Sequence, residues 1–64
     1  MILEITFKDN PNEMITITCD EWVPVHSSRT HEIYRDHMLL LWIHFDVVRS
    51  ITRLKEPKIK LKRL

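Results

Sequence analysis

Polar and apolar residues alternate in three separate stretches of this chain, at residues 2–8, 14–19 and 58–62, and the alternation is strict in the last of them. A period of two is the spacing at which side chains recur on one face of a β-strand, and it differs from the 3.6-residue period of a helix. Each stretch therefore predicts a strand with one buried face and one exposed face. A chain built from such strands has to pack their apolar faces against one another.

The first two alternating stretches predict an antiparallel hairpin. The loop between them, residues 9–13, is dense in turn-forming Asp, Asn and Pro. Residues 22–25 are expected to continue as a strand at a sheet edge or bulge, because Pro24 has no N–H to donate. Residues 26–30 follow as a polar connection. The apolar face of the hairpin would consist of Leu3, Ile5, Phe7, Ile15, Ile17 and Cys19.

Residues 31–55 fit two predictions. In the first they form short strands at 31–34 and 49–55 around a fully buried central strand at 38–45, with a turn at 35–37 and a brief helical turn at 46–48. In the second, one long helix over about residues 30–55 packs on a small sheet. The apolar face of that helix would hold Ile33, Leu40, Leu41, Val48 and Ile51.

The composition of this region favours strands. Residues 43–52 are rich in β-branched side chains, which are poor helix formers. We therefore predict a mainly β fold, a small antiparallel sheet or barrel-like meander with a short helical turn. The α+β alternative is a β-β-α-β arrangement that contains the long helix.

The chain contains no glycine. Average usage would supply about four or five in a chain of this size. Tight turns are therefore predicted to use Asn, Asp or Pro, or to avoid positive φ. The absence also excludes every glycine-rich phosphate-binding loop.

At 64 residues the chain is small for a protein that folds alone. Its single cysteine, Cys19, excludes an intramolecular disulfide and any zinc site that needs two cysteines. Yet 44% of the residues are hydrophobic, which is too apolar for a disordered peptide. We expect one domain over residues 1–64 that self-associates, burying the apolar run at 38–45 together with Ile59 and Leu61.

The charges divide the chain into an acidic body and a basic C-terminal strand or tail at residues 57–64. Residues 1–52 carry four cationic and eight acidic side chains, a net charge of −4, and residues 53–64 carry six cationic and one acidic, a net charge of +5. The basic end predicts protection of an exposed sheet edge, or docking onto the acidic body of another subunit by strand addition. Phosphate binding and a flexible tail are the alternatives. The candidate interaction residues here are Lys58, Ile59, Lys60, Leu61, Lys62 and Arg63.

The two tryptophans are predicted to pack in the core. Cys19 is expected to be buried as well, because it is in phase with Ile15 and Ile17. If Trp42 is exposed instead, it becomes a candidate contact for a partner.

No group of residues predicts catalysis, a cofactor or a metal. The four histidines lack the short spacings typical of ligand motifs, and a chain this short rarely encloses a pocket that shifts the pKa values of carboxylates such as Glu32 and Asp36. Serines, threonines and Cys19 lie in no nucleophile motif. We therefore expect that the protein is not an enzyme. The histidines are His26, His31, His37 and His44.

The longest apolar run, residues 38–43, has six residues, whereas a membrane-spanning helix needs about 20. A single free cysteine and the lack of a basic leader predict a cytoplasmic protein without membrane contact.

These features predict a small, cytoplasmic, non-enzymatic protein-interaction module whose partners are a second copy of itself and another protein. Short chains without motifs are common among accessory proteins of phages and mobile elements, and on that ground alone we expect such a role. The alternative function is nucleic-acid binding by the basic C-terminal segment and surface arginines, among them Arg29, Arg35 and Arg49.

Overall fold

A computed structural model describes residues 1–55, which form two three-stranded antiparallel sheets that share one core. Sheet A has the strand order β2-β1-β6 and sheet B the order β3-β4-β5, and the two are not closed into a barrel. The elements are β1 (Ile2–Phe7), β2 (Met14–Thr18), β3 (Glu21–Val25), β4 (Thr30–Arg35), β5 (Met38–His44), a 3-10 turn (Phe45–Val47) and β6 (Val48–Leu54).

The mainly β prediction is confirmed, and the long helix over residues 30–55 is wrong. Residues 45–47 are the only helical turn among residues 1–55. Of the β-branched residues that follow Ile43, Val47 lies in the 3-10 turn, and Val48, Ile51 and Thr52 lie in β6, where their stiff side chains fit a pleated surface better than a helix.

The core lies between the two sheets. In sheet A, Ile5 of the central strand lies opposite Ile15 on one side and Ile51 on the other. In sheet B, Ile33 of the central strand lies between Trp22 and Leu41 in the same way. These rows confirm the period-two expectation for the hairpin. The buried apolar residues are Leu3, Ile5, Cys19, Ile33 and Val48, with Met1, Phe7, Ile15, Ile17, Trp22, Leu41, Ile43 and Ile51 packed around them.

Backbone hydrogen bonds extend the strand pairs of each sheet to the residues at which the chain passes to the other sheet. Cys19 N–H donates to the Met1 carbonyl, and the amino group of Met1 donates to the Cys19 carbonyl, both at 2.8 Å. At the second crossing, Phe45 N–H donates to the carbonyl of Arg29 at 2.8 Å. The chain is therefore held by the strand pairing of sheet A where it leaves toward β3, and by that of sheet B where it leaves toward β6.

The prediction that residues 38–45 form a fully buried central strand is wrong in part. Residues 38–44 are a strand, but β5 lies at the edge of sheet B. In a fold of two sheet layers, each sheet has an outer face that no further layer covers, so an apolar run in either sheet must expose part of its side chains.

Three non-glycine residues in the turns adopt positive φ: Arg29 at 58°, Asp36 at 52° and His37 at 64°. Asp36 and His37 form the two-residue connection between β4 and β5, where consecutive positive φ values match the right-handed twist of the strands. The expectation that Asn, Asp or Pro would serve every such turn is wrong for Arg29 and His37. The left-handed region is costly for side chains of this size.

The predicted strand at residues 58–62 and the candidate interaction residues from Lys58 to Arg63 lie outside the described residues. Within residues 1–55, no helix is long and apolar enough to cross a membrane.

Candidate protein-interaction surface

Four large apolar side chains of β5 lie on the protein surface. Met38 is 69% exposed, Leu39 47%, Leu40 45% and Trp42 61%. We refer to these four residues as the β5 patch. Apolar surface removed from water stabilises a contact by roughly 25 cal/mol per Å², so a partner that covers the patch would gain from each of these side chains. Concentrated exposure of this kind is typical of contact surfaces.

A β-bulge accounts for the exposure of two adjacent leucines. Ile33 lies opposite Leu41, and the next residue of β4, Tyr34, lies opposite Leu39. Leu40 is therefore the extra residue in β5 and has no partner in the register. The bulge interrupts the alternation of faces, so Leu39 and Leu40 are both exposed while Leu41 returns to the core.

The outer face of sheet B combines apolar side chains with carboxylates. Val23, Glu32 and Trp42 form one row across the three strands. Glu32 Oε1 accepts a hydrogen bond from the hydroxyl of Tyr34 at 2.7 Å. This bond to a carboxylate raises the pKa of Tyr34. Glu32 therefore borders the patch directly, whereas Glu21, opposite Tyr34 on β3, lies one strand farther from it.

The main chain of β5 is paired on one side only. Its hydrogen-bonded neighbour is β4, and no strand among residues 1–55 pairs with its other edge. The seven residues of this edge include no Lys, Arg, Asp or Glu. Of the other edge strands, β3 carries Pro24 and β6 carries Arg49 and Arg53, residue types that discourage edge-to-edge pairing. The edge strand β2 is also uncharged, but it has five residues against seven in β5 and alternates apolar residues with threonines.

None of the four histidines belongs to the β5 patch, although His44 is the last residue of β5 and His37 directly precedes Met38. His31 Nδ1 accepts a hydrogen bond from Trp22 Nε1 at 3.0 Å, and its ring centroid lies 4.7 Å from that of Phe45. Burial lowers the pKa of His31. The ring of His26 also contacts the ring of Phe45, in a T-shaped arrangement with 5.7 Å between the ring centroids. Among residues 1–55, no three His, Cys, Asp or Glu side chains are grouped to hold a metal ion, and no pocket forms.

Of the two tryptophans, Trp22 packs against the core as predicted, whereas the core prediction for Trp42 is wrong. Because Trp42 is exposed, it is a candidate contact for a partner. Sequence reasoning missed Met38, Leu39 and Leu40 as surface residues, because an uninterrupted apolar run resembles a strand buried on both faces. The small size of the chain was the available signal, since so few strands cannot form a third layer.

Comparisons with protein-family models, with curated proteins and with solved structures gave no match. Function is therefore inferred from the residues of this chain.

Proposed function

We propose that the protein is a non-enzymatic protein-interaction module that self-associates through the β5 patch and the free edge of β5. The observation that supports this function is the exposure of Met38, Leu39, Leu40 and Trp42 on an edge strand without charged side chains. An edge strand that is long, apolar and uncharged is a template for pairing with another chain.

Two sources of stabilisation coincide at this surface. A strand added at the edge of β5 receives main-chain hydrogen bonds from groups that β4 leaves unpaired. The same strand would cover apolar side chains, among which Trp42 is the residue type that most often dominates binding energy. The small core of residues 1–55 gains little stabilisation of its own, so association also stabilises the fold.

The test is the solution mass of the full chain, measured by light scattering after size exclusion over a range of concentrations. The unmodified chain is expected to form an oligomer, and the double variant Leu40→Lys/Trp42→Lys a monomer. Met14→Lys is the matched control, because Met14 is a 54% exposed apolar residue on an edge strand of sheet A. It is expected to leave the mass unchanged.

Circular dichroism and melting curves establish that each variant is folded. A full chain that remains a monomer at every concentration would contradict self-association. A folded double variant that keeps the mass of the unmodified chain would contradict the role of the β5 patch.

The second candidate function is nucleic-acid binding. The observation in its favour is that Arg49, Arg53 and Lys55 are exposed on or directly after β6, so positive charge continues along the chain into the basic segment. This function predicts binding of a labelled single-stranded oligonucleotide that weakens steeply as salt rises. Replacing Lys58, Lys60 and Lys62 with Gln should abolish it, whereas unchanged binding would contradict it.

A further inference from the structure

The free edge of β5 is itself uncharged but belongs to an acidic sheet. Residues 20–47, which contain sheet B and its turns, carry five acidic and two cationic side chains, a net charge of −3. Two copies that paired β5 with β5 would therefore bring together surfaces of the same sign. Like charges at a contact disfavour association, so the edge fits a basic strand better than a second β5.

The chain itself contains a basic strand-like segment. Residues 56–64 carry four cationic side chains and one acidic side chain, a net charge of +3, which is equal and opposite to that of residues 20–47. Lys58, Lys60 and Lys62 alternate with Ile59 and Leu61 at the period of a strand with one apolar face.

The alternation also fits the two faces of β5. Leu41 and Ile43 lie on the inner face at the margin of the core, where the apolar face of an added strand would extend it. The lysines of that strand would lie on the outer face of sheet B, which carries Glu32 on β4, the strand next to β5, and Glu21 on β3, one strand farther away. Their aliphatic stems can cover apolar surface while the ammonium groups stay in water.

Pairing of the segment with β6 of the same subunit is unfavourable. Only Glu56 and Pro57 separate Lys55 from Lys58, so a two-residue hairpin would put Lys58 opposite Lys55 and Lys60 opposite Arg53. Like charges directly opposite each other destabilise a pair of strands. The acidic sheet of another subunit has no such conflict.

We propose that residues 58–63 of one subunit add as a strand to the free edge of β5 in a second copy of the chain. This inference rests on the proposed function, because it names the partner that the β5 edge binds. A reciprocal exchange of segments between two subunits closes the assembly as a dimer with twofold symmetry.

The test is a charge swap in the full chain, with solution mass as the readout. The segment variant combines Lys58→Glu, Lys60→Glu and Lys62→Glu, all outside the described residues. It is expected to dissociate the assembly, with a dissociation constant raised on the order of tenfold or more. The matched control combines Lys8→Glu, Arg49→Glu and Arg53→Glu, which change the net charge by the same amount at exposed positions of sheet A and its loop. It is expected to keep the mass of the unmodified chain.

The complementary variant reverses the acidic face with Glu21→Lys and Glu32→Lys. Alone it should be a monomer, because its basic segment meets a basic face. Mixed with the segment variant it should form a 1:1 complex, since each segment then meets a face of opposite charge. Amides of β5 should be protected from hydrogen exchange in the unmodified assembly and in this mixture, and lose that protection in each variant alone.

The results that would contradict the inference differ from those that would contradict the proposed function. A segment variant that keeps its mass, while Leu40→Lys/Trp42→Lys dissociates, would overturn this inference and leave the proposed function standing. A mixture that fails to form the 1:1 complex, although the unmodified chain associates, would overturn it too. An unmodified chain that is a monomer throughout would overturn the proposed function, and the inference with it. If Glu32→Lys prevents folding, Glu32→Gln, which removes the charge with a side chain of nearly the same size, replaces it in the face variant.

Discussion

The indole N–H of Trp22 donates a hydrogen bond to Nδ1 of His31, with 3.0 Å between the two nitrogens. The acceptor must carry no proton, so the neutral ring is protonated at Nε2. The two residues lie on neighbouring strands β3 and β4, and Phe45 packs against the same imidazole. Protonation of His31 would turn its only acceptor nitrogen into a second donor.

This relationship predicts that stability falls on acidification. Burial lowers the pKa of His31 in the folded chain below its ordinary value of 6.5. The unfolded chain therefore takes up the proton first, and the free energy of unfolding decreases as the pH falls from about 6.5 to the folded pKa. The stabilisation is fully present above about pH 7.5 and absent below both values. Urea titrations between pH 8 and pH 5 measure the effect.

The variant His31→Gln separates this residue from the other titrating groups. A glutamine Oε1 can accept the Trp22 N–H without gaining charge, so the variant should lose less stability than the unmodified chain over the same pH range. An equal loss in both proteins would assign the pH dependence to other groups.

The second prediction concerns the turn between β4 and β5. His37 has a φ of 64°, in the left-handed region that glycine reaches without a steric penalty. His37→Gly should therefore raise the free energy of unfolding by about 1 kcal/mol, since the steric relief exceeds the added flexibility of the unfolded chain. Asp36→Gly is the contrasting variant, and it should raise the free energy of unfolding less than His37→Gly does, because Asp tolerates positive φ better than His. Thermal melts of both variants test this, and an unchanged or lower stability of His37→Gly would contradict it.

The third prediction concerns Arg29, where the steric cost of a positive φ is opposed by an ion pair that the side chain forms. Its φ is 58°, and its Nη2 donates to Asp46 Oδ1 at 2.8 Å. Both side chains of the pair are more than half exposed, and such ion pairs contribute only about 0–1 kcal/mol. Arg29→Gly is therefore expected to be neutral or stabilising by up to about 1 kcal/mol. Asp46→Asn removes the ion pair alone, and a loss well above 1 kcal/mol in either variant would show that the pair matters more.

The sequence predicted most of the strands because their apolar faces are regular. In β1 and β2, Leu3, Ile5, Ile15 and Ile17 alternate without interruption, and the turn residues between them mark the loop. The strand assignments in β4 to β6 were correct within a few residues, although a helix fitted the same residues. Strands replace the helix because Ile33 pairs with Trp22 and Leu41. This pairing is a tertiary contact that no local sequence pattern contains.

The surface was harder to predict than the strands. Whether Trp42 is buried depends on the position of β5 in its sheet, and strand order is a long-range property. The extra residue Leu40 shifts the alternation by one position, and nothing in a run of leucines indicates where a bulge falls. The positive φ of Arg29 was hidden because arginine is not a residue type enriched in the left-handed region. Histidine is enriched there, so His37 carried a signal that the expectation of Asn, Asp or Pro left out.

The last prediction concerns the thiol of Cys19, which is 1% exposed at the crossing between the sheets. Burial raises the pKa of this thiol above its ordinary value of 9.0, so little reactive thiolate forms near neutral pH. Reaction with a thiol reagent at pH 8 should be slow in the folded chain and accelerate sharply in urea, in parallel with loss of the circular dichroism signal. The substitution Cys19→Ser should destabilise the fold by about 1–3 kcal/mol, because the hydroxyl needs a hydrogen bond that the apolar site lacks. Cys19→Ala leaves no polar group to satisfy and serves as the control, expected to cost less than Ser. A thiol that reacts at the same rate with and without urea would contradict its burial in the core.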